Sequence, residues 1–156
     1  MMMVAFYLIS SAFSQGGAIP AQYTCDGADV SPPLSWGGGP AGTAAFALIC
    51  EDPDAPVGNW VHWVVYNIPA GRDSLPEELP AVGQLEDGTV QGVNGWGRTG
   101  YGGPCPPSGT HRYFFRLYAL DSLLELPAGA NASELREAMS GHVLDEAELM
   151  GVYSRQ

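Results

Sequence analysis

The sequence predicts a mostly β fold with small helices near the C-terminus. Several short apolar runs are dominated by aromatic and β-branched residues, which favour strands. Glycine and proline are abundant, at 21 and 13 of 156 residues, roughly twice their usual combined share of ~12%. They follow no Gly-X-Y period, so collagen is excluded. A helical pattern occurs only late in the chain, so short strands joined by frequent turns give the fold class.

Composition indicates one domain over residues 1–156, with no internal repeat or linker. Hydrophobic residues make up 46% of the chain and charged residues 15%, against a typical charged share of ~25%. A disordered chain would need low hydrophobicity and high charge. The net charge is −11 and there is no lysine, so we expect no nucleic-acid partner and no anionic membrane surface as a partner.

Four apolar runs predict strands in chain order. The first, residues 4–13, is too short to span a bilayer, which needs about 20 residues, and it lacks the basic segment of a signal peptide. The run 60–68 is so rich in aromatic and β-branched types that we expect both of its faces to be covered. The other two runs are residues 44–50 and 111–121.

Turn-rich segments at residues 15–40 and 67–80 separate these runs, and residues 92–110 form a long glycine- and proline-rich loop. A loop of that length is either functional or mobile. Asn131 can cap a helix with Glu134 three residues on, and Gly141 can end it. Residues 144–150 are expected to add a second helical turn or two.

Charged residues are distributed unevenly along the chain, and one long segment without acidic residues is the most informative feature of the sequence. Residues 88–120 contain no Asp or Glu, yet they hold three of the six arginines, Arg98, Arg112 and Arg116. The same window includes the glycine-rich loop, where missing side chains let backbone N–H groups approach an anion. An anion site is one interpretation. The other is that the arginines pair with acids elsewhere and the glycines only make turns, and charge pattern alone slightly favours this second interpretation.

Strand alternation places two candidate ligand groups together. His111 and Tyr113 project on one face of their strand, and both the imidazole and the phenol can donate hydrogen bonds to one bound anion. His62 is the lone polar side chain at the start of the other aromatic run. Such a histidine is commonly a satisfied core residue, and a ligand role would require a carboxylate partner from Asp52 or Asp54.

The same residues could also form an enzyme active site, but the sequence favours a ligand-binding site. An Asp and two histidines could hold zinc, and an Asp–His pair could act as a general base. The sequence contains no HExxH, no GxSxG and no recognised Cys–His spacing. We therefore predict no catalytic residue, no metal and no cofactor.

Three cysteines, Cys25, Cys50 and Cys105, have no metal-binding spacing. A chain of this length needs no disulfide framework, so the predicted location is the reducing cytoplasm. The sequence leaves open a disulfide between Cys25 and Cys105.

Four motifs in order resemble the phosphatidylethanolamine-binding protein family, and most closely its bacterial and archaeal branch, often called Raf-kinase-inhibitor-like proteins. The resemblance runs from about Phe6 to Tyr153. Any one motif is weak, but four in sequence are specific. They are DGADVSPPLSW at 26–36, DPDAP at 52–56, VHWVVYNIP at 61–69 and GYGGPCPPSGTHRYFFRLYALD at 100–121.

The resemblance implies two antiparallel sheets, C-terminal helices and a small pocket at one end that binds phosphate, acetate or a phosphorylated head group. Residues 105–107 would line this pocket and offer a backbone N–H to the anion. Asp54 and Arg112 would lie near the site in a structural role, with Arg112 pairing with the DPDAP carboxylates, and Arg98 and Arg116 become scaffold. Carried over by motif, the ligand-binding residues are Asp52, His62, Cys105, Pro107, His111 and Tyr113.

We therefore expect a non-enzymatic protein that binds a small anion or phospho-ligand and regulates a kinase or other partner. A metal-dependent or Asp–His hydrolase is the first alternative, and an inhibitory scaffold for a protease or kinase with a vestigial pocket is the second. A protein partner and a homodimer are left open, and no stable membrane insertion is expected.

Overall fold

The computed structural model describes residues 5–155, and this part of the chain contains eight strands and one α-helix. The strands form two antiparallel sheets, so the predicted mostly β fold of two antiparallel sheets is confirmed. The strands are β1 (Tyr7–Ile9), β2 (Leu34–Gly37), β3 (Ala45–Asp52), β4 (Trp60–Pro69), β5 (Ser74–Leu75), β6 (Val90–Gln91), β7 (His111–Leu120) and β8 (Val143–Tyr153), and the helix is α1 (Ala132–Met139).

The larger sheet has the order β6-β4-β3-β7-β8, and the smaller sheet has the order β1-β2-β5. The central strand β3 is buried along its whole length. Because successive side chains of a strand point to opposite faces, Phe46, Leu48 and Cys50 enter the core between the two sheets, whereas Ala47 and Ile49 pack on the side of α1. The larger sheet is thus covered on both faces, as the apolar run 60–68 predicts for β4.

The helix α1 begins and ends as the sequence indicates. The Asn131 side chain accepts a hydrogen bond from the Glu134 amide at 2.8 Å, and Glu134 Oε1 accepts one from the Asn131 amide at 3.1 Å, which completes a capping box. Leu135 and Met139 are buried on the face toward the sheet. Gly141 follows the helix with a φ of 84°, the left-handed region that glycine enters without strain.

The prediction of further helical turns at residues 144–150 is wrong, because this segment lies in β8 and pairs with β7. Ala147, Leu149 and Gly151 are buried and alternate with more exposed residues, which is the period of a strand. Pairing along β7 outweighs the helix propensity of this Leu-, Glu- and Ala-rich segment. The described fold therefore has one short α-helix near the C-terminus in place of several.

Three other predicted boundaries change. The strand predicted at 4–13 is limited to β1, and its start at Val4 lies outside the described residues. The turn-rich segment 15–40 contains β2, and the predicted loop 67–80 contains β5. Both are short strands of the smaller sheet, and their length is set by pairing across that sheet rather than by local pattern.

β8 forms one edge of the larger sheet. The segment that follows β1 covers the second half of this edge, where the Gly16 amide donates to the Met150 carbonyl at 2.7 Å and the Val152 amide donates to the Gly17 carbonyl at 2.9 Å. The first half, from Val143 to Glu148, has no neighbouring strand on that side within residues 5–155.

The topology brings three strand ends together at one end of the larger sheet. β3 ends at Asp52, and its antiparallel neighbours β4 and β7 begin beside it, at Trp60 and His111. The long loop 92–110 leads directly into the start of β7. Residues that lie far apart in sequence therefore surround one point, where the candidate site lies.

Candidate functional site

A cavity of about 190 Å³ lies at this end of the larger sheet. The structure brings together around it all six residues that the sequence and the resemblance single out for ligand binding. Aromatic and apolar residues that the sequence reasoning missed complete the wall, and the indole of Trp96 is the signal that could have found them, because it is the one large apolar side chain among the glycines of 92–100. The six predicted residues are Asp52, His62, Cys105, Pro107, His111 and Tyr113.

Asp52 positions His111 rather than His62. The Nδ1 atom of His111 lies 2.7 Å from Asp52 Oδ2, and the other oxygen of Asp52 accepts a hydrogen bond from the Asp54 amide at 2.7 Å. Both side chains are buried. Asp52, one of the two carboxylates that the sequence offers as a partner for His62, is therefore taken by His111, because β7 carries His111 up to the end of β3 where Asp52 lies.

His62 is held instead by the backbone of the glycine-rich loop. Its Nδ1 donates to the Gly102 carbonyl at 2.6 Å, and the side chain is buried between Trp96 and Tyr113, whose rings meet it edge-on with centroids 5.2 Å away. Burial lowers the pKa of His62 below its usual 6.5, against the opposing effect of the Gly102 carbonyl. The ring is therefore neutral at pH 7, with a proton on Nδ1 and a lone pair on Nε2.

The hydroxyl of Tyr113 is buried and has no hydrogen-bond partner among the described residues. Buried hydroxyls are normally hydrogen-bonded, since an unpaired one costs free energy. Burial, and after it the charge of Asp52, raises the pKa of Tyr113 well above its usual range. The phenol thus keeps its proton, and its hydroxyl is a donor with no protein partner within the described residues.

The arginines of the acid-free window do not line the cavity. Arg112 forms a two-pronged pair with Asp54, at 2.8 and 2.9 Å, and lowers the pKa of that carboxyl to about 2. The predicted pairing of Arg112 with the DPDAP segment is therefore confirmed. Arg116 bonds Glu51 and Glu148, and the Arg98 guanidinium lies 5.7 Å from the centre of the Trp96 ring. For Arg112 and Arg116, pairing with acids elsewhere in the fold is the correct interpretation, whereas Arg98 lies against the cavity-lining Trp96 and forms no ion pair with a described residue.

Backbone contacts hold one wall of the cavity in place. The Gly102 amide donates to the His62 carbonyl at 2.9 Å, and the Gly103 amide donates to Asp29 Oδ1 at 2.8 Å. A Cβ at Gly103 would lie 2.3 Å from the Tyr23 carbonyl oxygen, so only glycine fits this approach. Part of the glycine richness of the loop is thus explained by close packing rather than by exposure to a ligand.

Cys25 and Cys105 are joined by a disulfide, with Cα atoms 5.4 Å apart, and Cys50 is a free, buried thiol. The bond that the sequence left open is therefore present. The expected cytoplasmic location rested on the chain needing no disulfide framework, and the presence of this bond weakens that basis. Cys105 lies in the cavity wall, so the bond is part of the site.

Within the described residues, no group of three or more His, Cys, Asp or Glu side chains is arranged to hold a metal ion. Over the same residues, no helix has the length and apolar character that crossing a bilayer requires.

Similarity to known proteins extends over nearly the whole chain. A family model for phosphatidylethanolamine-binding protein matches residues 9–154. A UPF0098 protein of Methanothermobacter thermautotrophicus is 57% identical over 148 residues, which are 95% of this chain and 98% of the relative. A UPF0098 protein of Aquifex aeolicus is 47% identical over 151 residues, covering 95% and 88%.

Solved structures agree in fold as well as sequence. A phosphatidylethanolamine-binding protein homologue from Chlamydia trachomatis, CT736, is 43% identical with a TM-score of 0.90, covering 97% of this chain and 99% of that chain. E. coli YbcL, a member of the mammalian phosphatidylethanolamine-binding protein family, is 32% identical with a TM-score of 0.87, covering 98% and 100%. Membership of this family supports a ligand-binding protein, and the relatives named here come from archaea and bacteria. The chain therefore belongs to the phosphatidylethanolamine-binding protein family, among its bacterial and archaeal members.

Proposed function

We propose that this protein binds a small anion, inorganic phosphate or a phosphomonoester, in the cavity, and that it does so without turning it over. The observation that carries the proposal is the buried Tyr113 hydroxyl, which lacks a partner within the described residues and belongs to a side chain that lines the cavity together with His62 and His111. A ligand oxygen would satisfy that donor, and it would remove the cost of leaving it unpaired.

The two histidines add a second requirement on the ligand. Both rings are fixed through Nδ1, His62 by the Gly102 carbonyl and His111 by Asp52, so Nε2 is the ring atom left for a ligand. A neutral ring accepts a hydrogen bond at Nε2, and a protonated ring donates one. A hydrogen phosphate group offers both acceptor oxygens and an O–H donor, so it can serve the Tyr113 hydroxyl and a neutral His62 together.

This chemistry separates phosphate from sulfate, which has no proton to give near neutral pH. We expect phosphate to bind the protein more tightly than sulfate at pH 7, with the difference arising at His62. Acetate lacks the proton as well and should bind weakly. The phosphatidylethanolamine-binding protein family to which the chain belongs supports a ligand with a phosphate group.

The test is an NMR titration of the histidine ring and tyrosine signals with millimolar phosphate, sulfate and acetate. Phosphate should shift the signals of His62 and His111, and Tyr113→Phe should weaken its binding because it removes only the hydroxyl. Tyr101→Phe is the matched control, since that hydroxyl already donates to the Tyr23 carbonyl at 2.7 Å. No shift at any of these positions with millimolar phosphate would refute the proposal.

One observation favours a second candidate, a hydrolase. The Asp52–His111 pair, with 2.7 Å between Oδ2 and Nδ1, has the geometry of a carboxylate that orients a general base. Within the cavity wall the hydroxyl of Tyr113 stays protonated and the sulfur of Cys105 is in a disulfide, so water would be the nucleophile. Hydrolysis of p-nitrophenyl acetate or p-nitrophenyl phosphate that is lost in His111→Ala would establish this activity, and a rate equal to that of buffer would exclude it for these substrates.

Regulation of a kinase or another protein partner, and a cytoplasmic location, are further parts of the proposal. A pulldown with the wild-type chain and with His111→Ala addresses the first part. Binding of a kinase that depends on an intact cavity would support ligand-linked regulation. Binding that survives His111→Ala and Asp52→Ala would instead favour a scaffold whose cavity is vestigial.

A further inference from the structure

The disulfide forms part of the cavity wall at an exposed residue. Cys105 is exposed and lines the cavity, whereas Cys25 is only partly exposed and lies in the segment after the 3-10 turn Ala21–Tyr23. The two residues are 80 positions apart in the sequence. The bond therefore joins the cavity wall to a different part of the fold.

The backbone anchors of this wall end just before the disulfide. Hydrogen bonds hold Gly102 to His62, Gly103 to Asp29, and the Pro104 carbonyl to the Cys25 amide at 3.1 Å. From Cys105 to Thr110, no hydrogen bond to another described residue holds the chain until β7 begins. In this stretch Pro106 is buried and the other residues are exposed. The disulfide is thus the main link that holds in place a segment that supplies Cys105 and Pro107 to the cavity.

We propose that Cys25 and Cys105 form a reversible thiol–disulfide site that controls how tightly the cavity holds its ligand. The oxidised form keeps residues 105–110 against the cavity, and the reduced form releases them. A released wall must be ordered again when the ligand binds, and that ordering lowers the affinity. The part of this inference that concerns affinity rests on the proposed function of the cavity.

The reductant is a dithiol, and the exchange balances with it alone. A thiolate of the dithiol attacks the exposed sulfur of Cys105, the Cys25–Cys105 bond breaks, and Cys25 leaves as a thiolate that takes up a proton. The second thiol of the reductant then attacks the mixed disulfide and releases Cys105 as a thiol. Two electrons and two protons pass to the protein, and the reductant becomes a disulfide.

The third cysteine supplies a matched control. Cys50 lies in the core, 1% exposed, and burial raises the pKa of its thiol well above the usual value, so it is a poor nucleophile. Cys50→Ala keeps the Cys25–Cys105 pair intact. A response to reductant that persists in Cys50→Ala and disappears in Cys25→Ser/Cys105→Ser would come from the proposed pair.

The experiment measures wall mobility and phosphate binding in the full chain, oxidised and after treatment with dithiothreitol. Thiol alkylation and mass spectrometry report the redox state. Backbone order parameters of the amides of Cys105 and residues 108–110 report the wall, since a fixed backbone gives about 0.85 and a flexible one less than about 0.6. On reduction we expect these values to fall and phosphate binding to weaken about tenfold, the effect of roughly 1.4 kcal/mol of added ordering cost. Reduced wild-type protein gives the result even where Cys25→Ser/Cys105→Ser fails to fold.

Equal phosphate affinity in the two redox states would overturn the proposal, whatever the order parameters show. So would free thiols at Cys25 and Cys105 that glutathione disulfide cannot oxidise. If phosphate binds neither form, the proposed anion function fails by itself, and the order parameters then decide whether the disulfide controls the wall. A fall on reduction would support that control, and no change would refute it.

Discussion

Replacing Cys25 and Cys105 together with serine is expected to lower the free energy of unfolding by about 4.5 kcal/mol. The magnitude follows from the 80-residue separation of the two cysteines. In the chain-entropy account, a cross-link that closes a loop of that length lowers the conformational entropy of the denatured ensemble by about 15 cal/mol/K. At 25 °C this corresponds to a free energy of about 4.5 kcal/mol. Loss of the cross-link returns that freedom to the unfolded chain.

The native contacts beside the bond do not depend on the two sulfur atoms. The Cys25 amide still donates to the Pro104 carbonyl, and the Gly103 amide still donates to Asp29. The loss should therefore come from the denatured chain, and wild-type protein unfolded in reductant should match the double variant in the absence of reductant.

Guanidinium chloride unfolding of the wild-type chain, the double variant and Cys50→Ala, each with and without dithiothreitol, measures the effect. The double variant should be insensitive to the reductant, and Cys50→Ala should lose about as much stability on reduction as the wild type. A loss smaller than about 1 kcal/mol, well under the ~2–5 kcal/mol usual for native disulfides, would refute the reasoning once mass spectrometry has shown the wild-type bond to be intact.

The remaining predictions concern charge. Burial acts to raise the pKa of Glu51, but hydrogen bonds from Arg136, Asn59 and Arg116 outweigh it and the pKa is lowered below 4.5. The stability that Glu51 contributes is thus present above pH 4.5 and is lost as the pH falls through the lower folded-state pKa. Glu51→Gln should flatten the acid limb of stability measured by urea unfolding from pH 3 to 7, and an unchanged limb would contradict this. Arg112→Ala should return the pKa of Asp54 from about 2 toward 3.8, read from the carboxyl carbon signal by NMR, and a value that stays near 2 would show that Arg112 is not the cause. Because His62 is neutral in the free protein at pH 7 and would accept the O–H of hydrogen phosphate, the preference for phosphate over sulfate, measured by calorimetry, should persist from pH 7 to pH 8. His62→Phe, which removes the acceptor, should reduce that preference, and an equal preference in the variant would remove His62 from this role.

The local sequence pattern was sufficient to predict how side chains are arranged in the parts of the site that lie within one strand. The alternation of β7 predicts that His111 and Tyr113 share one face and that Arg112 lies on the other, and the structure has this arrangement, with the shared face buried. The partner of Asp52 could not be predicted in this way, because β3 lies between β4 and β7 and the sequence does not say which histidine reaches the carboxylate. That choice depends on the pairing register of two strands about 60 residues apart.

The incorrect prediction of a helix at residues 144–150 has the same cause, since strand pairing between distant segments cannot be inferred from local sequence. Residues 144–150 have helix-forming side chains, and only the ten-residue partner β7, distant in sequence, makes them a strand. The capping box at Asn131 needed no distant partner, and it was predicted correctly. Trp96 was missed for a related reason, since its place beside His62 is set by loop packing in which a Cβ at Gly102 would lie 2.4 Å from the indole.

The open half of the edge strand β8 has a consequence for how copies of this protein meet. An unpaired edge can add a strand from another molecule and so lead to aggregation. Here the exposed half carries Asp145 and Glu146, together with Glu148, which pairs with Arg116, and two such edges aligned antiparallel would bring the carboxylates of Asp145 and Glu146 close to one another, which is destabilising. Part of the surplus negative charge thus disfavours the association of two copies through this edge of the larger sheet.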